Sequence, residues 1–374
     1  MEVSIERYGV GIDVSKKDFV VCIKSMRSNE TESVKGRRKF VNTPKGFGEV
    51  KAWLKKQCKE KDAPIRILLE VTGVYHENLL YSLDEAGYYV SLELGQRVQH
   101  YLKSLGQDTK TDKEDAKGLA SMALHRKLRQ WKPVSDQLMA IRQLIRHRAR
   151  LLSNKVAYEN QLHAHQHSHL SDPEVSRSLK RHIKQLKDEI KKLEKSIRER
   201  IKADDDLYQR ISRIVDSLPG VGWLSVAIVV AETDGFALVR SAKQLTKYAG
   251  YDIIERQSGT IKGKARISKR GNERLRTAMY MPALSIIRMK KTPLYQLYLR
   301  LLQRNGGLKK KAQVAVQRKL LCLIYSLWKS GMEYDPDYQP LMKAKKTSEN
   351  QNESSPEASS ELRGIEQLSA ELPI

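Results

Sequence analysis

The stretch K-T-D-K-E-D, residues 110–115, is the one around which the chain is organised. Thr111 followed three residues later by Glu114 is a capping-box pattern, which predicts that a helix begins here. Asp112 and Asp115 then lie on the same side of its first turn. Two neighbouring carboxylates repel each other unless a cation or a proton lies between them, so the pair is typical of a metal site. The alternative is two solvated acids that the helix dipole favours.

The residues before this stretch alternate strand and helix patterns, which predicts an α/β domain. Strands are predicted at residues 8–12, 19–23, 39–41, 65–69 and 88–94, and helices at residues 44–54 and 75–86. The first two strands are expected to be antiparallel, because a tight turn joins them. The predicted order is therefore β-β-β-α-β-α-β-α, with the helix at Thr111 as the last element.

Two further acids stand at informative places in this order. Asp13 ends the first strand and Glu70 ends the fourth. If these strands are neighbours, the two acids meet Asp112 and Asp115 on the last helix. Four carboxylates around one point are stable when two divalent cations share them, and such a pair can clamp a phosphodiester. Mg²⁺ suits such oxygen ligands, so we predict a magnesium site. The alternative is four ordinary surface acids among the 44 in the chain.

The composition predicts a polyanionic partner. The formal net charge of +25 would attract nucleic acid, with an anionic membrane surface as the alternative. Cys22, Cys58 and Cys322 form no C-x-x-C pair, which favours a reduced cytoplasm over a disulfide framework or a zinc ribbon. The chain opens without a secretory signal pattern and has no apolar run near the roughly 20 residues of a membrane span. We expect a cytoplasmic, nucleoid-associated protein with no membrane partner.

Residues 134–205 are predicted to form a coiled-coil helical hairpin, which spaces the two ends of the chain or mediates self-association. Its apolar seam repeats at spacings of three and four residues, at Ile183, Leu186, Ile190, Leu193, Ile197 and Ile201. The sequence S-D-P-E at residues 171–174 combines a cap residue, a proline and an acid, which predicts the start of the second helix. This division leaves residues 1–133 as the α/β domain.

Residues 206–335 are predicted to form a mainly helical domain. The sequence L-P-G-V-G at residues 218–222 is typical of a helix-hairpin-helix element, in which Gly220 and Gly222 let backbone amides reach a phosphate. The alternative is a packing turn. Candidate basic contacts for nucleic acid follow at Lys262, Lys264, Arg266, Lys269 and Arg270. Residues 336–374 are predicted to be disordered, and from residue 343 onward they carry six acids against four bases, so they do not supply the nucleic-acid contact.

Ser258 lies beside a glycine in Q-S-G-T, residues 257–260, where a turn is predicted. A serine in such a turn is accessible to a phosphodiester, and nearby guanidinium groups could stabilise the charge that develops during attack. On chemistry alone, the alternative is an ordinary turn residue.

Taken together, the motifs resemble those of the DEDD transposases of the insertion-sequence 110 family and the similar Piv-type invertases. The motifs are G-I-D-V-S at Asp13, L-E-V-T-G-V-Y at Glu70, K-T-D-K-E-D-A at Asp112 and Asp115, then L-P-G-V-G, Q-S-G and R-I-S-K-R-G-N. The resemblance implies a RuvC-like, RNase H-type first domain whose four acids hold Mg²⁺. It also implies that Ser258 is the nucleophile that forms a covalent phosphoserine link to DNA.

The expected function is that of a DNA transposase or recombinase that excises and inserts its own element. The resemblance further implies a structured noncoding bridge RNA, which pairs with donor and target DNA. We also expect a homo-oligomer. One alternative is a metal-dependent junction-resolving nuclease that forms no covalent intermediate. A second is a non-catalytic nucleic-acid-binding protein whose acids are structural.

Overall fold

A computed structural model describes residues 4–60, 62–71, 73–106, 111–255, 257–258, 261–262, 266–290 and 292–337. The chain divides into two compact units, one within Met1–Pro133 and one within Val134–Ile374. The predicted basic contact Lys264, and the predicted disordered tail from residue 338 onward, lie outside the described residues. No helix in the described ranges is both long enough and apolar enough to cross a membrane.

Unit 1 is built on a five-stranded sheet. Its elements are β1 (Ile5–Val14), β2 (Asp18–Arg27), β3 (Glu32–Val41), α1 (Pro44–Gln57), β4 (Ile65–Val71), α2 (Glu77–Glu85), β5 (Tyr89–Leu94), α3 (Gly95–Ser104) and α4 (Asp112–His125). The strand order across the sheet is β3-β2-β1-β4-β5. Strand β2 runs antiparallel to both β1 and β3, whereas β4 runs parallel to both β1 and β5. The predicted order of elements and the predicted contact between strands one and four are confirmed, with one helix added.

The added helix is α3, which the sequence reading missed between the fifth strand and the acidic helix. Its buried side chains are Val98, Tyr101 and Leu102, spaced three and one apart on one face. They pack with Leu68 of β4 and with α4 in one apolar cluster. The helical spacing was therefore present in the sequence. It was obscured because Gly95, a poor helix former, is the first helical residue.

Helix α4 packs unusually closely on β1. A Cβ atom built at Gly11 would overlap the carbonyl oxygen of Ala116 and lie 2.7 Å from the Cβ of Leu119. One built at Gly9 would overlap the carbonyl oxygen of Ala120. Two glycines on the strand and two alanines on the helix thus let the two backbones approach each other. The opposite face of β1 is covered by α1 and α2, and its side chains belong to the main apolar core of unit 1.

Unit 2 is mainly helical. Its elements are α5 (Asp136–Gln166), α6 (Pro173–Lys202), α7 (Asp205–Ser217), α8 (Trp223–Thr233), α9 (Ala242–Ala249), β6 (Ile253–Ile254), β7 (Gln257–Ser258), β8 (Ile261–Lys262), β9 (Arg266–Ile267), α10 (Glu273–Met289), α11 (Pro293–Arg304) and α12 (Lys309–Ser330). The sequence reading did not predict α9 or the four short strands. Helix α11 begins where Thr292 caps it, with Pro293 in its first turn.

The two long helices α5 and α6 form an antiparallel pair. The Arg148 side chain donates a hydrogen bond to Glu194 at 2.7 Å, and the Tyr158 and His182 rings stack 5.4 Å apart. Asp172 caps α6 as predicted, because its carboxylate accepts the backbone N–H groups of Glu174 and Val175. The buried positions of α6 are the isoleucines of the predicted seam, Ile183, Ile190, Ile197 and Ile201. Two long packed helices are therefore observed, and their description as a coiled coil stays a prediction.

Substituting Gly11→Ala should destabilise the protein by about 1–3 kcal/mol, because the new methyl group overpacks the contact between β1 and α4. The matched control is Gly48→Ala in α1, where a Cβ meets nothing within 4 Å. That change should be neutral or stabilise by up to about 1 kcal/mol, since alanine is the better helix former. Urea denaturation of the full chain measures both effects. Equal midpoints for the two variants would contradict the close-packing account.

Candidate active site

The close contact between α4 and β1 brings two sets of acids together. Gly9, Gly11 and Asp13 alternate along β1, so all three face the same side of the sheet. Because α4 crosses that side over the two glycines, its first turn comes to Asp13. Asp112 and Asp115 lie in that first turn. The helix begins where the sequence predicts, since the Thr111 hydroxyl accepts the backbone N–H of Glu114 at 3.3 Å.

Glu70 reaches the same place from the neighbouring strand. The parallel register pairs Ile12 with Leu69, so Glu70 lies level with Asp13 at the carboxyl ends of the two strands. A Cβ atom built at Gly95 would lie 2.5 Å from Oε1 of Glu70. The Glu70 carboxylate therefore packs against the first residue of α3, where the helix dipole favours a negative charge. Gly95 provides the room that this carboxylate occupies.

The pKa of Asp13 reflects the approach of the other three acids. Burial, followed by the negative charges of Asp112, Asp115 and Glu70 in that order of size, raises the pKa of the Asp13 carboxyl to about 6. A carboxylate has such a pKa when it is partly withdrawn from water and faces other acids. The structure thus brings together the four acids that the sequence reading singled out.

Glu114, the remaining acid of the K-T-D-K-E-D stretch, is paired with basic side chains. Glu114 forms ion pairs with Lys117 of its own helix at 3.1 Å and with Arg37 of β3 at 3.6 Å. Its charge is therefore balanced by two cations.

The donor chemistry of the four acids fits a hard divalent cation, because every candidate ligand is a carboxylate oxygen. Among the described residues, however, no three Asp, Glu, His or Cys side chains are arranged to hold one metal ion. Carboxylates that repel each other lower their energy by turning apart, so a ligating arrangement needs the cation itself. The four acids are thus close enough to act on one another, and ligation requires their side chains to rotate.

Ser258 lies on a strand rather than in the turn that the sequence predicted. It pairs with Ile261 across β7 and β8, and its side chain is exposed. A second ladder pairs β6 with β9, joining Ile253 to Ile267 and Ile254 to Arg266. Strands β6 to β9 are called the serine hairpin below. Ser258 is its last described residue before residues 259–260, so it lies near the tip.

The candidate nucleic-acid contacts occupy two regions of unit 2. Arg266 lies on β9, and Lys269 and Arg270 follow it, all three with exposed side chains. Lys262 lies on β8. Lys269 adopts a left-handed backbone with φ of 52°.

The predicted glycine element joins α7 to α8. Gly220 has φ of 79°, which favours glycine, and a Cβ there would press on Ile286 at 3.1 Å. Gly222 caps α8, and open space surrounds the position where its Cβ would be. Its description as a helix-hairpin-helix that binds phosphate stays a prediction.

One acid of unit 2 escaped the sequence reading. Glu232 is 1% exposed and lies in α8, whose other buried side chains are apolar or threonine. A single carboxylate in the apolar run A-I-V-V-A-E-T, residues 227–233, was the available signal. A buried charge needs partners, so such a residue predicts an ion-pair network.

Two family models match the chain, and both describe transposases. Residues 10–170 match the model for the DEDD transposase of IS110, and residues 212–299 match the transposase model of the IS116/IS110/IS902 family. These matches define the protein as a DNA transposase or recombinase. More particularly, the chain belongs to the IS110 family of transposases. Such DEDD transposases are generally dependent on a divalent metal.

The relatives agree with this assignment. The chain is similar to the pilin gene-inverting protein of Moraxella bovis, with 28% identity over 87% of this chain and 97% of that protein. It is also similar to the transposase for insertion sequence element IS1111A of Coxiella burnetii, with 26% identity over 62% of this chain and 69% of the relative. Among solved structures, it matches Thermus thermophilus RuvC at 15% identity, covering 34% of this chain and 83% of RuvC, with a TM-score of 0.23.

Substituting Asp13→Asn should stabilise the metal-free protein at neutral pH. The folded-state pKa is raised, so the folded state binds more protons than the unfolded chain between pH 3.8 and about 6. The wild type therefore loses stability as the pH rises through that window, whereas the variant does not. Thermal melts with a chelator should give the variant a higher Tm at about pH 7.5, and the gap should close near pH 4.

The matched control for this prediction is Asp18→Asn. A hydrogen bond and ion pair with Lys39 lower the pKa of Asp18, so its contribution has the opposite sign. That variant should gain no stability at neutral pH. A gap between Asp13→Asn and the wild type that stays constant from about pH 4 to 7.5 would contradict the electrostatic account of the site.

Proposed function

We propose that the protein excises and inserts a DNA element, using the four acids to hold Mg²⁺ and Ser258 as the nucleophile. The observation that carries this proposal is the convergence of Asp13, Glu70, Asp112 and Asp115, expressed in the raised pKa of Asp13. Burying one acid against three others costs free energy. A role of the four acids in holding Mg²⁺ for an IS110 transposase would explain why they lie together. Unit 1 would then be a RuvC-like, RNase H-type domain, which its strand order supports.

In this proposal the four carboxylates bind the cation and hold it at the carboxyl ends of β1 and β4. A bound divalent cation would neutralise the charge of the phosphodiester and orient it. The close packing of α4 on β1 fixes the backbone of Asp112 and Asp115 relative to that of Asp13, so only the side chains would need to turn when the cation enters. Gly95 gives the Glu70 side chain the space in which to turn.

Ser258 would supply the bond-making atom. Its oxygen forms a bond to phosphorus while the bond from phosphorus to one deoxyribose oxygen breaks. The serine loses its proton, and the departing deoxyribose oxygen takes one up. The product is a DNA strand linked to the protein through phosphoserine. Exposure of Ser258 near the tip of the serine hairpin supports this role, because a duplex backbone can reach the hydroxyl without entering the core.

The nucleic-acid partners would include the element ends, the target DNA and a structured guide RNA. Arg266, Lys269 and Arg270 are exposed near Ser258 in sequence and would contact phosphates, as would Lys262 and Lys264. Backbone amides at Gly220 and Gly222 would add contacts that do not depend on sequence. We further propose a homo-oligomer with domains at residues 1–133, 134–205 and 206–335. Target choice would then reside in base pairing of the RNA.

A covalent-adduct assay tests the proposal. The protein is incubated with Mg²⁺, element-end DNA and the noncoding RNA transcribed from its flanks, then denatured and examined for DNA that stays bound. The wild type should form an adduct. Ser258→Ala should form none, because the attacking oxygen is missing, and Asp112→Asn should lower adduct formation by on the order of 100-fold or more. Replacing Mg²⁺ with a chelator should have the same effect.

Two matched variants control for unspecific effects. Ser153→Ala removes an exposed hydroxyl on α5, and Asp18→Asn removes a half-buried acid of unit 1 that is paired with Lys39, so both should leave the adduct unchanged. An adduct that survives Ser258→Ala would overturn the serine role. Cleavage without any adduct would instead favour a junction-resolving nuclease, in which metal-activated water attacks.

Arg270→Ala should weaken DNA binding at every sequence and reduce the slope of log affinity against log salt by about 1, because it removes one phosphate contact. Fluorescence anisotropy over a salt series measures this slope. The matched control is Arg177→Ala on α6, an exposed arginine whose guanidinium lies 3.9 Å from Glu174 of the same helix. A slope that is equal in Arg270→Ala and wild type would mean that Arg270 does not contact phosphate.

A further inference from the structure

Glu232 is the centre of a buried ion-pair network in unit 2. Arg146 of α5 donates two hydrogen bonds to its carboxylate, from Nε at 2.9 Å and from Nη2 at 2.8 Å. The Nε of Arg274 lies 3.8 Å from the same carboxylate. Burial raises the pKa of Glu232, and the hydrogen bonds from Arg146 and Asn272 more than offset it, so that the net pKa is lowered and the residue stays ionised.

Two further contacts connect Glu232 to the segments on either side of the serine hairpin. The Tyr248 hydroxyl, on α9 before the hairpin, donates to the backbone carbonyl of Glu232 at 3.2 Å. The Asn272 side-chain amide, after the hairpin, donates to Oε2 of Glu232 at 2.8 Å. Asn272 also caps α10, since its side-chain oxygen accepts the N–H of Arg274 at 3.0 Å. Glu232 therefore contacts both ends of the segment that carries Ser258, through its carboxylate at Asn272 and through its backbone carbonyl at Tyr248.

The same two ends are also joined directly to each other. The N–H of Asn272 donates to the carbonyl of Tyr248 at 2.7 Å, and the N–H of Lys269 donates to that of Gly250 at 3.0 Å. The N–H of Ser268 donates to the carbonyl of Asp252 at 2.7 Å. A Cβ built at Gly271 would collide with the carbonyl of Tyr248, so the two segments are in close contact. The base of the serine hairpin is thus held together by backbone hydrogen bonds and is connected to Glu232 through Asn272.

We propose that Glu232 is a positioning residue for Ser258, whose carboxylate acts through Asn272 to fix the base of the serine hairpin. This inference rests on the proposed function, because it assigns a role toward the serine that attacks DNA. Glu232 does not touch the reacting atoms.

The hairpin needs such an anchor because its own ladders are short. The described pairs are two residues long in each ladder. Isolated two-stranded ribbons are at best marginally stable in water. The direction in which Ser258 points is therefore determined by the base of the hairpin. Misplacement of a reacting group by about 1 Å can cost on the order of 100-fold in rate, so loosening the base should slow attack.

The test uses Asn272→Ser in the full-length protein. Serine retains the helix cap, so α10 should still form, but it lacks the amide that donates to Glu232. Single-turnover adduct formation is measured at saturating DNA, together with DNA affinity and Tm. We expect the rate constant to fall by on the order of 10- to 100-fold, while the final amount of adduct, the affinity and the Tm stay near wild-type values. A purely structural role would lower the final amount of adduct and the Tm, because less protein would be folded.

Glu232→Gln is the second variant, and it should have the same effect on the rate constant, with a lower Tm because Arg146 loses its counter-charge. Glu194→Gln breaks the Arg148 ion pair on the helical hairpin and is the matched control, which should leave the rate constant unchanged. If Asn272→Ser forms the adduct with the wild-type rate constant, the positioning role of Glu232 is overturned while the proposed function stands. Absence of any adduct with the wild type would overturn the proposed function, and the inference with it.

Discussion

The contact between α4 and β1 is the constraint on which the candidate site depends. Gly9 and Gly11 remove the side chains that would separate strand from helix, and Ala116 and Ala120 complete the fit. Because Asp13 continues the same face of β1, the position of the helix start relative to that acid is set by backbone packing. The geometry of the acids is therefore fixed by apolar and backbone contacts, without any contribution from attraction between the acids themselves.

This division of roles explains how four like charges are tolerated. Repulsion at Asp13 opposes folding above its raised pKa, yet α4 buries Ala116, Leu119, Ala120, Ala123 and Leu124 against the sheet and its neighbours. Burial of each large apolar side chain contributes roughly 1.5–3 kcal/mol to the free energy of folding. Packing can thus hold the acids together in the absence of a cation. A divalent cation would then relieve the repulsion, so that binding of the metal and stability of the fold are linked.

The sequence predicts unit 1 better than unit 2, and the reason is physical. Strands β1, β2 and β4 contain apolar runs, and Thr111 and Thr43 cap their helices, so pattern and structure agree there. Only the end of β3 was predicted, because most of that strand is polar. The adjacency of β1 and β4 made the meeting of Asp13 with Glu70 predictable. The serine hairpin was missed because two-residue strands have no periodicity, and its position is set by tertiary contacts. Helix α3 was missed although its spacing was visible, since Gly95 weakened the helical pattern.

The two sets of carboxylates in this protein differ in how their charge is compensated. Glu232 is almost fully buried and stays ionised, because a guanidinium and an amide donate to it. Asp13 is partly buried, and its pKa rises because burial disfavours the charged form and because the charges that act on it are other acids. A buried acid that accepts hydrogen bonds from the protein connects the segments that supply the donors. Acids that face one another instead repel, and a cation bound between them would offset that repulsion.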